Sequence, residues 1–496
     1  MSFPLLSTLL IVPLIGVALM LLMPRDNDPL LKWIALVTTL VNLGLSLLLF
    51  VNFADGTAGY QFEEMAAWIP AFNIGYHIGI DGLSLFLVLL TTFLSVVAIL
   101  SSWTAITEQI KEYLALMLFL ETAMLGVFMA LDLFLFYLFW EASLIPMALL
   151  IGRWGGARRI YASVKFILYT MAGSSLMLVA AIVAYLWGGT SDLPVLVQSL
   201  KLPVDLQTWL FFAFALAFAV KVPLFPLHTW LPAAHVEAPT AGSIILAGVL
   251  LKMGTYGFLR FAIPLFPAAL ATWTPLLVAL AIIGILYGAL VALAQEDAKS
   301  LIAYSSVAHM GFIVLGIFSG GPQGMSGAVL QMVNHGLSTG MLFFMIGILY
   351  EQRHTRLFKD YGGIWAKVPL FGVFFLLAAF SSVGLPGLNG FVGEFVILLG
   401  TFKVNWVAAA FGTFGIVLAA WYLLTAVRKL LYGPFNTANE RLHDMNGREL
   451  LIGLSLVVLF FVIGLFPNLL FEKINPTTSA LAEHINAITA LAQSGN

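Results

Sequence analysis

Residues 221–252 read KVPLFPLHTWLPAAHVEAPTAGSIILAGVLLK. The apolar run AFALAFAV (213–220) precedes this stretch and SIILAGVLL (243–251) lies inside it, so both lysines sit in or beside hydrocarbon-like sequence. A lysine at the centre of a membrane-spanning helix costs about 2.5–3.5 kcal/mol on insertion scales, and intramembrane charges are characteristically put to use. Pro223 and Pro226 have no N–H to donate, which frees the carbonyls of Ala219 and Val222 and predicts a helix break just after Lys221. A broken span beside an ionisable side chain suggests a hydrated cavity. The plainer alternative is that Lys221 closes an ordinary helix beginning near Leu206 and reaches the interface. That escape is harder for Lys252, about 12 residues into its helix and so roughly 18 Å deep.

The chain has 496 residues, of which 61% are hydrophobic and 9% charged, with a mean hydropathy of +1.02. Soluble domains carry about 25% charged residues, so this composition specifies a polytopic membrane protein. The sequence is apolar almost from Phe3, without a basic leader or small-residue cleavage site, and Pro4–Met23 reads as a retained first span. There are no cysteines, which excludes disulfides and cysteine-ligated iron–sulfur clusters. No G-x-G-x-x-G or G-x-x-x-x-G-K-[ST] occurs, and no soluble insert is long enough for a nucleotide fold. Any electron transfer associated with this protein runs elsewhere.

Fourteen apolar segments of spanning length follow one another, near 4–23, 31–51, 82–102, 113–130, 132–150, 163–187, 206–222, 240–262, 270–294, 300–318, 324–349, 369–402, 405–431 and 449–470. The longest connection, Asn52–Ile80, reads as a folded surface loop. Odd-numbered connections hold Arg25, Lys32, Lys111, Arg153, Arg158, Arg159, Lys299, Arg353, Arg356, Lys359, Lys367, Arg428, Lys429, Arg441 and Arg448, whereas even-numbered ones hold only Lys201, Arg260 and Lys403. The positive-inside rule then places the odd connections in the cytoplasm and both termini on the opposite side.

Further ionisable residues lie inside apolar segments: Glu121 in LFLETAML, Glu141 in LFYLFWEASLIPM, Lys165 near the start of its span, His309 in AYSSVAHMGFIVL, His335 in QMVNHGLSTG and Glu394 in GLPGLNGFVGEFVILL. Asp132 fits a helix start between two spans, and His228 and His235 fall on the second half of the broken segment or its loop. No histidine pair has the i, i+4 spacing with a third ligand that a metal cage needs. A Ser–His–Asp reading has no local motif behind it. Acids, lysines and histidines at membrane depth instead suit proton transfer. A buried lysine near a carboxylate has a proton affinity that small movements can tune, each pKa unit being worth about 1.36 kcal/mol. Moving one charge against 100 mV requires about 2.3 kcal/mol, a matching scale. Glu141 is the natural partner for Lys221.

A second break is expected at GLPGLNGFVGE, where Pro386 with Gly384, Gly387 and Gly390 interrupts the twelfth span. Glu141 and His309 are 168 positions apart, Lys165 and His335 are 170, and Lys221 and Glu394 are 173. Such an offset predicts two five-helix repeats, 113–262 and 270–431, each with its broken helix fourth. An odd helix number per repeat makes the copies inverted, as in many transporters. Residues 1–112 then supply three leading spans and the surface loop, and 432–496 a final span and tail.

The segments YHIGIDGLSLFLVLLTTFLS, LFWEASLIP, KFILYTMAGS, KVPLFPLHTWLPAAHVEAPTAGS, EDAKSLIAYSSVAHMG and GLPGLNGFVGEF together resemble the antiporter-like membrane subunits of respiratory complex I, the proton-translocating NADH–quinone oxidoreductase, in particular their M-type (chain 4) branch. The resemblance is dense over about Ile80–Leu399. It implies an all-α polytopic fold of fourteen transmembrane helices with two inverted repeats, and a proton path through mid-membrane. By motif, Glu141 and Lys221 would be an interacting pair, Lys252 the central relay, His309 and His335 its extension and Glu394 the terminal exchange site. Related subunits commonly carry lysine where this chain has Glu394. The resemblance further implies other membrane-arm subunits, especially neighbouring antiporter-like ones, as partners within a lipid bilayer. It implies a bacterial inner-membrane location, with NADH, FMN, iron–sulfur clusters and quinone on other subunits; neither a cofactor on this chain nor a nucleic-acid partner is expected. The alternative is a subunit of a multi-chain Mrp-type sodium/proton antiporter or of a membrane-bound hydrogenase complex.

Overall fold

The computed structural model describes residues 4–494. In a hydrocarbon surround every backbone polar group must be satisfied within its own segment, and the apolar runs accordingly form helices. In chain order these are α1 (Leu5–Leu22), α2 (Asp28–Asn52), α3 (Leu85–Ala105), α4 (Ile110–Met129), α5 (Leu133–Trp154), α6 (Arg159–Gly188), the short α7 (Leu193–Ser199), α8 (Val204–Lys221), α9 (Trp230–Glu237), α10 (Thr240–Leu265), α11 (Leu270–Leu293), α12 (Ala298–Ile317), α13 (Pro322–Arg353), α14 (Pro369–Val383), α15 (Asn389–Val404), α16 (Trp406–Leu431), α17 (Gly447–Leu465) and α18 (Asn468–Ser494). Thirteen are long and apolar enough to cross a membrane alone. The interrupted pair α14/α15 makes the fourteenth span, as the sequence predicts.

Polar residues at the joints set the boundaries. Asp132 caps α5 by accepting from the N–H groups of Phe134 and Leu135 at 2.9 and 3.1 Å, the helix-start role its position suggested. Asp297 caps α12 in the same manner at 2.8 and 2.9 Å. Asn446 and Glu449 form a reciprocal capping box at the start of α17. Within the bundle, α10 and α13 are covered by protein on every side over their apolar windows, whereas α1, α2, α6, α11 and α17 are buried on less than half of theirs. The ionisable residues of the central helices therefore face protein, and the outer ring faces lipid.

Two elements depart from an all-helical set of spans. The connection after α2 folds as an antiparallel hairpin, β1 (Gln61–Ile69) and β2 (Ile74–Ile80), with Met65 opposite His77 and Asn73 in the left-handed region at the turn. The segment after α17, read from sequence as a tail, is the 27-residue helix α18. Its Lys473 pairs with Asp55 in the hairpin connection, so both elements occupy one end of the bundle. Arg260, counted among the connections, instead lies buried within α10.

The hairpin is fastened through His77, whose Nδ1 is 2.6 Å from Asp192 and whose Nε2 is 3.1 Å from Glu63. Burial disfavours the imidazolium, but the bonds and charges of the two carboxylates outweigh it and raise the His77 pKa above its ordinary value. A group whose folded-state pKa is raised stabilises the fold fully below its unfolded pKa, about 6.5, and loses that contribution as pH rises through the folded value. Hydrogen exchange of the hairpin amides should therefore quicken across that rise, and His77→Gln should flatten the dependence. An unchanged dependence in the variant would assign the effect to another group.

Candidate functional site

Both predicted breaks are present. The first helix ends at Lys221, and the chain turns through residues 222–229 before α9 begins. Of the two carbonyls expected to be freed, Ala219 O is taken by protein, accepting from Leu224 N–H at 2.8 Å; the Trp230 indole donates to the neighbouring Val220 O at 2.8 Å. The surroundings of this break are aromatic. Lys221 is 1% exposed, its Nζ has no hydrogen-bond partner, and it stands 5.3 Å from the Trp140 ring and 5.7 Å from that of Phe166. Glu141 follows Trp140 on α5 and is the carboxylate acting electrostatically on Lys221, but no ion pair joins them and its Oε1 is unpartnered. The pair is thus neighbouring rather than bonded.

The second half of the line is closely spaced, with one unbonded step between its two histidines, where His335 Nε2 has no partner. Lys252, fully buried in α10, donates from Nζ to Ala247 O and lies 2.7 Å from His335 Nδ1 on α13. A π-helical turn over Leu246–Leu250 immediately precedes it. The His335 ring centre is 5.7 Å from that of His309 on α12. His309 Nδ1 lies 3.2 Å from Glu394 Oε1, and its Nε2 lies 3.2 Å from the Tyr422 hydroxyl and 3.4 Å from Ser382 Oγ. Glu394 also accepts from Gln331 Nε2 at 3.2 Å. Four of the six predicted residues therefore form one chain of close contacts, Lys252–His335–His309–Glu394.

The break between α14 and α15 positions Glu394. Gly384 adopts φ +81°, and a Cβ there would lie 2.8 Å from Glu394 Oε2, so glycine supplies both the turn and the room. Asn334 donates to Asn389 O at 2.7 Å and Ser381 to Asn389 Oδ1 at 2.6 Å, tying both halves of the span to α13.

Other candidates lie elsewhere. His228 and His235 are buried rather than in a solvated loop; His228 stacks on Phe225, and His235 stacks on Phe343 with both ring nitrogens unpartnered. Lys165 is half-buried between Tyr161 and Tyr169. Glu121 is buried but off the line, accepting from Asn42 at 2.8 Å. At the end opposite the hairpin, a cavity of about 360 Å³ is lined by Glu237, Thr240, Lys299, Glu351, His354 and Arg356, and reaches the residue beside His235. Tyr422, Ser382, Gln331 and Asn334 were not foreseen. The two amides carried a usable signal, since they stand polar in a wholly buried span; Tyr422 had none.

These features define a polytopic helical protein with a buried row of titratable groups at its centre. The family NADH:quinone oxidoreductase/Mrp antiporter, TM, matches residues 130–419. The chain is 46% identical to NADH-quinone oxidoreductase subunit M of Rhodobacter capsulatus, over 97% of each chain. It is similar to a chain of respiratory complex I from Thermus thermophilus, with a TM-score of 0.89 and 35% identity, covering 97% of this chain and 99% of that one. A chain of the Mrp complex from Dietzia sp. DQ12-45-1b gives a TM-score of 0.80 at 26% identity, covering 97% of this chain and 51% of that one. The protein belongs to the NADH:quinone oxidoreductase/Mrp antiporter family.

Proposed function

We propose that this chain is a proton-translocating membrane-arm subunit of an NADH–quinone oxidoreductase, driven by electron transfer on other subunits that hold the NADH, FMN, iron–sulfur and quinone sites. The observation that carries this reading is the buried row from Lys252 to Glu394 through two histidines, hydrogen-bonded at both ends with the two imidazole rings 5.7 Å apart between them, where a mobile proton is the cargo that fits. Full-length similarity to a subunit M and to a complex I chain supports it over the Mrp alternative, whose matched chain extends well beyond this one. Glu141 and Lys221 would form one loading site, Lys252 and His335 the central relay, and His309 and Glu394 the exchange site. The spans 113–262 and 270–431 would be inverted repeats, each broken once. Loop charges favour a cytoplasmic cavity mouth, with the hairpin, α18 and both termini outside, in a bacterial inner membrane.

Glu394 supplies the test. Glu394→Gln keeps volume and hydrogen bonding but cannot titrate, and should lower pumping in proteoliposomes by about a hundredfold, the range of a lost acid–base group. Glu394→Lys still titrates and should pump better than Glu394→Gln. If Glu394 only fills the break, the order reverses, with glutamine the milder change. Wild-type pumping by the glutamine variant would exclude Glu394 as a proton carrier.

A further inference from the structure

The end of the bundle carrying α18 holds polar contacts that the transfer row does not use. Gly82, between the hairpin and α3, donates its N–H to Thr477 Oγ1 at 3.1 Å, and a Cβ on Gly82 would lie 2.1 Å from Lys473 O. α18 therefore rests directly on this backbone. The adjacent Asp81 is buried and caps α3 through the N–H groups of Leu83 and Ser84 at 3.0 and 3.2 Å. Its carboxylate also pairs with Arg260 of α10. The guanidinium is held further by Tyr256 and Tyr60, each at 3.1 Å, and by Ser84 at 3.2 Å. One residue after Thr477 along α18, Thr478 bonds Ser326 of α13 at 2.7 Å.

The same surface helix is thus tied to α13 directly and to α10 through the Asp81–Gly82 segment, and these are the two helices that present Lys252 and His335 to each other. Arg260 lies eight residues from Lys252 and Ser326 nine from His335, so the two ties act over similar arms of about 12 and 14 Å. The helices cross closely just past the pair, on the side away from the ties: a Cβ on Gly336 would lie 2.8 Å from Gly248 O.

We propose that α18 is a brace that sets the Lys252–His335 contact, with Arg260 and Asp81 as positioning residues on one arm and Ser326 and Thr478 on the other. The proposal rests on the proton-relay reading of Lys252 and His335. Two helices crossing at a close glycine contact and joined at one end by a common strut cannot change their relative angle without moving the strut. Displacing α18 therefore alters the geometry across which Lys252 and His335 share a proton.

The test uses the assembled complex in proteoliposomes, with proton translocation measured against pH. Ser326→Ala with Thr478→Val removes one tie while leaving the ion pair intact. It should lower translocation roughly fivefold, the factor one hydrogen bond carries, and displace the pH profile. Arg260→Met should do the same through the other arm, and Arg260→Lys, which can still pair with Asp81, should restore much of the profile. A wild-type pH profile in the double variant, or no difference between the methionine and lysine variants, would overturn the brace. If Arg260→Met fails to assemble, the Ser326/Thr478 variant decides alone. Lys252→Ala in parallel separates the two readings: normal pumping there defeats the relay itself. A dead Lys252→Ala beside unaltered tie variants defeats only the brace.

Discussion

Replacing Lys252 with alanine should nearly abolish proton translocation through this chain in an otherwise assembled complex, with a fall of about a hundredfold or more. Lys252 Nζ lies 2.7 Å from His335 Nδ1, and both side chains are buried. Its loss also leaves Ala247 O and His335 Nδ1 buried without a partner, at about 1–3 kcal/mol each, so assembly is measured alongside transport. Lys252→Arg should recover transport only in part. Arginine keeps a cation in place but holds its proton at a pKa above about 12, so it orders the site without releasing the proton. Wild-type translocation by the arginine variant would show that proton release at position 252 is not required.

The second large effect is expected at Glu141. Lys221 has ring faces on two sides and no hydrogen-bond acceptor. A desolvated cation–π contact is worth about 2 kcal/mol, short of the several kcal/mol that burying an ammonium costs. Glu141, the residue after Trp140 on α5, is the carboxylate whose charge favours the ammonium against that cost. Glu141→Ala and Glu141→Gln should therefore both reduce translocation about a hundredfold, while Glu141→Asp, which keeps the charge, should retain a substantial fraction. The glutamine variant separates charge from packing, because its volume is nearly unchanged. Normal pumping by assembled Glu141→Gln complex would show that Lys221 does not depend on this carboxylate.

What was readable beforehand follows from which physics is local. Fourteen spans and two helix breaks could be read because backbone satisfaction in lipid and proline's missing donor act within a few residues. Lys252, His309, His335 and Glu394 stood out because charge and imidazole are costly at that depth. Their order in space did not, since it depends on how α10, α12, α13 and α15 pack. The same limit explains why Glu121 looked equivalent to Glu141, although it turns away to Asn42. Tyr422 is one aromatic among many in α16, and only the fold brings its hydroxyl to His309. Water was expected at the Lys221 break because a freed carbonyl needs a donor, but for Ala219 O the N–H of Leu224 supplies one from the protein. α18 escaped notice because its sequence is polar and contains Pro476, whereas its helix is defined by docking on the bundle.

The aromatic surroundings of Lys221 have an electrical meaning. Among the described residues no polar atom bonds its Nζ, so hydrogen bonding stops at this ring-walled site, whereas on the Lys252–Glu394 side it stops only between the two histidines. Protons move along hydrogen-bonded chains, and a stretch walled by aromatic rings interrupts one. A membrane at rest would then hold its voltage without leaking through this subunit, and conduction would require water to be admitted between Trp140, Phe166 and Phe218 for part of each cycle. The bulk of those rings, and not the affinity of any titratable group, would set how well the machine holds charge when it is idle.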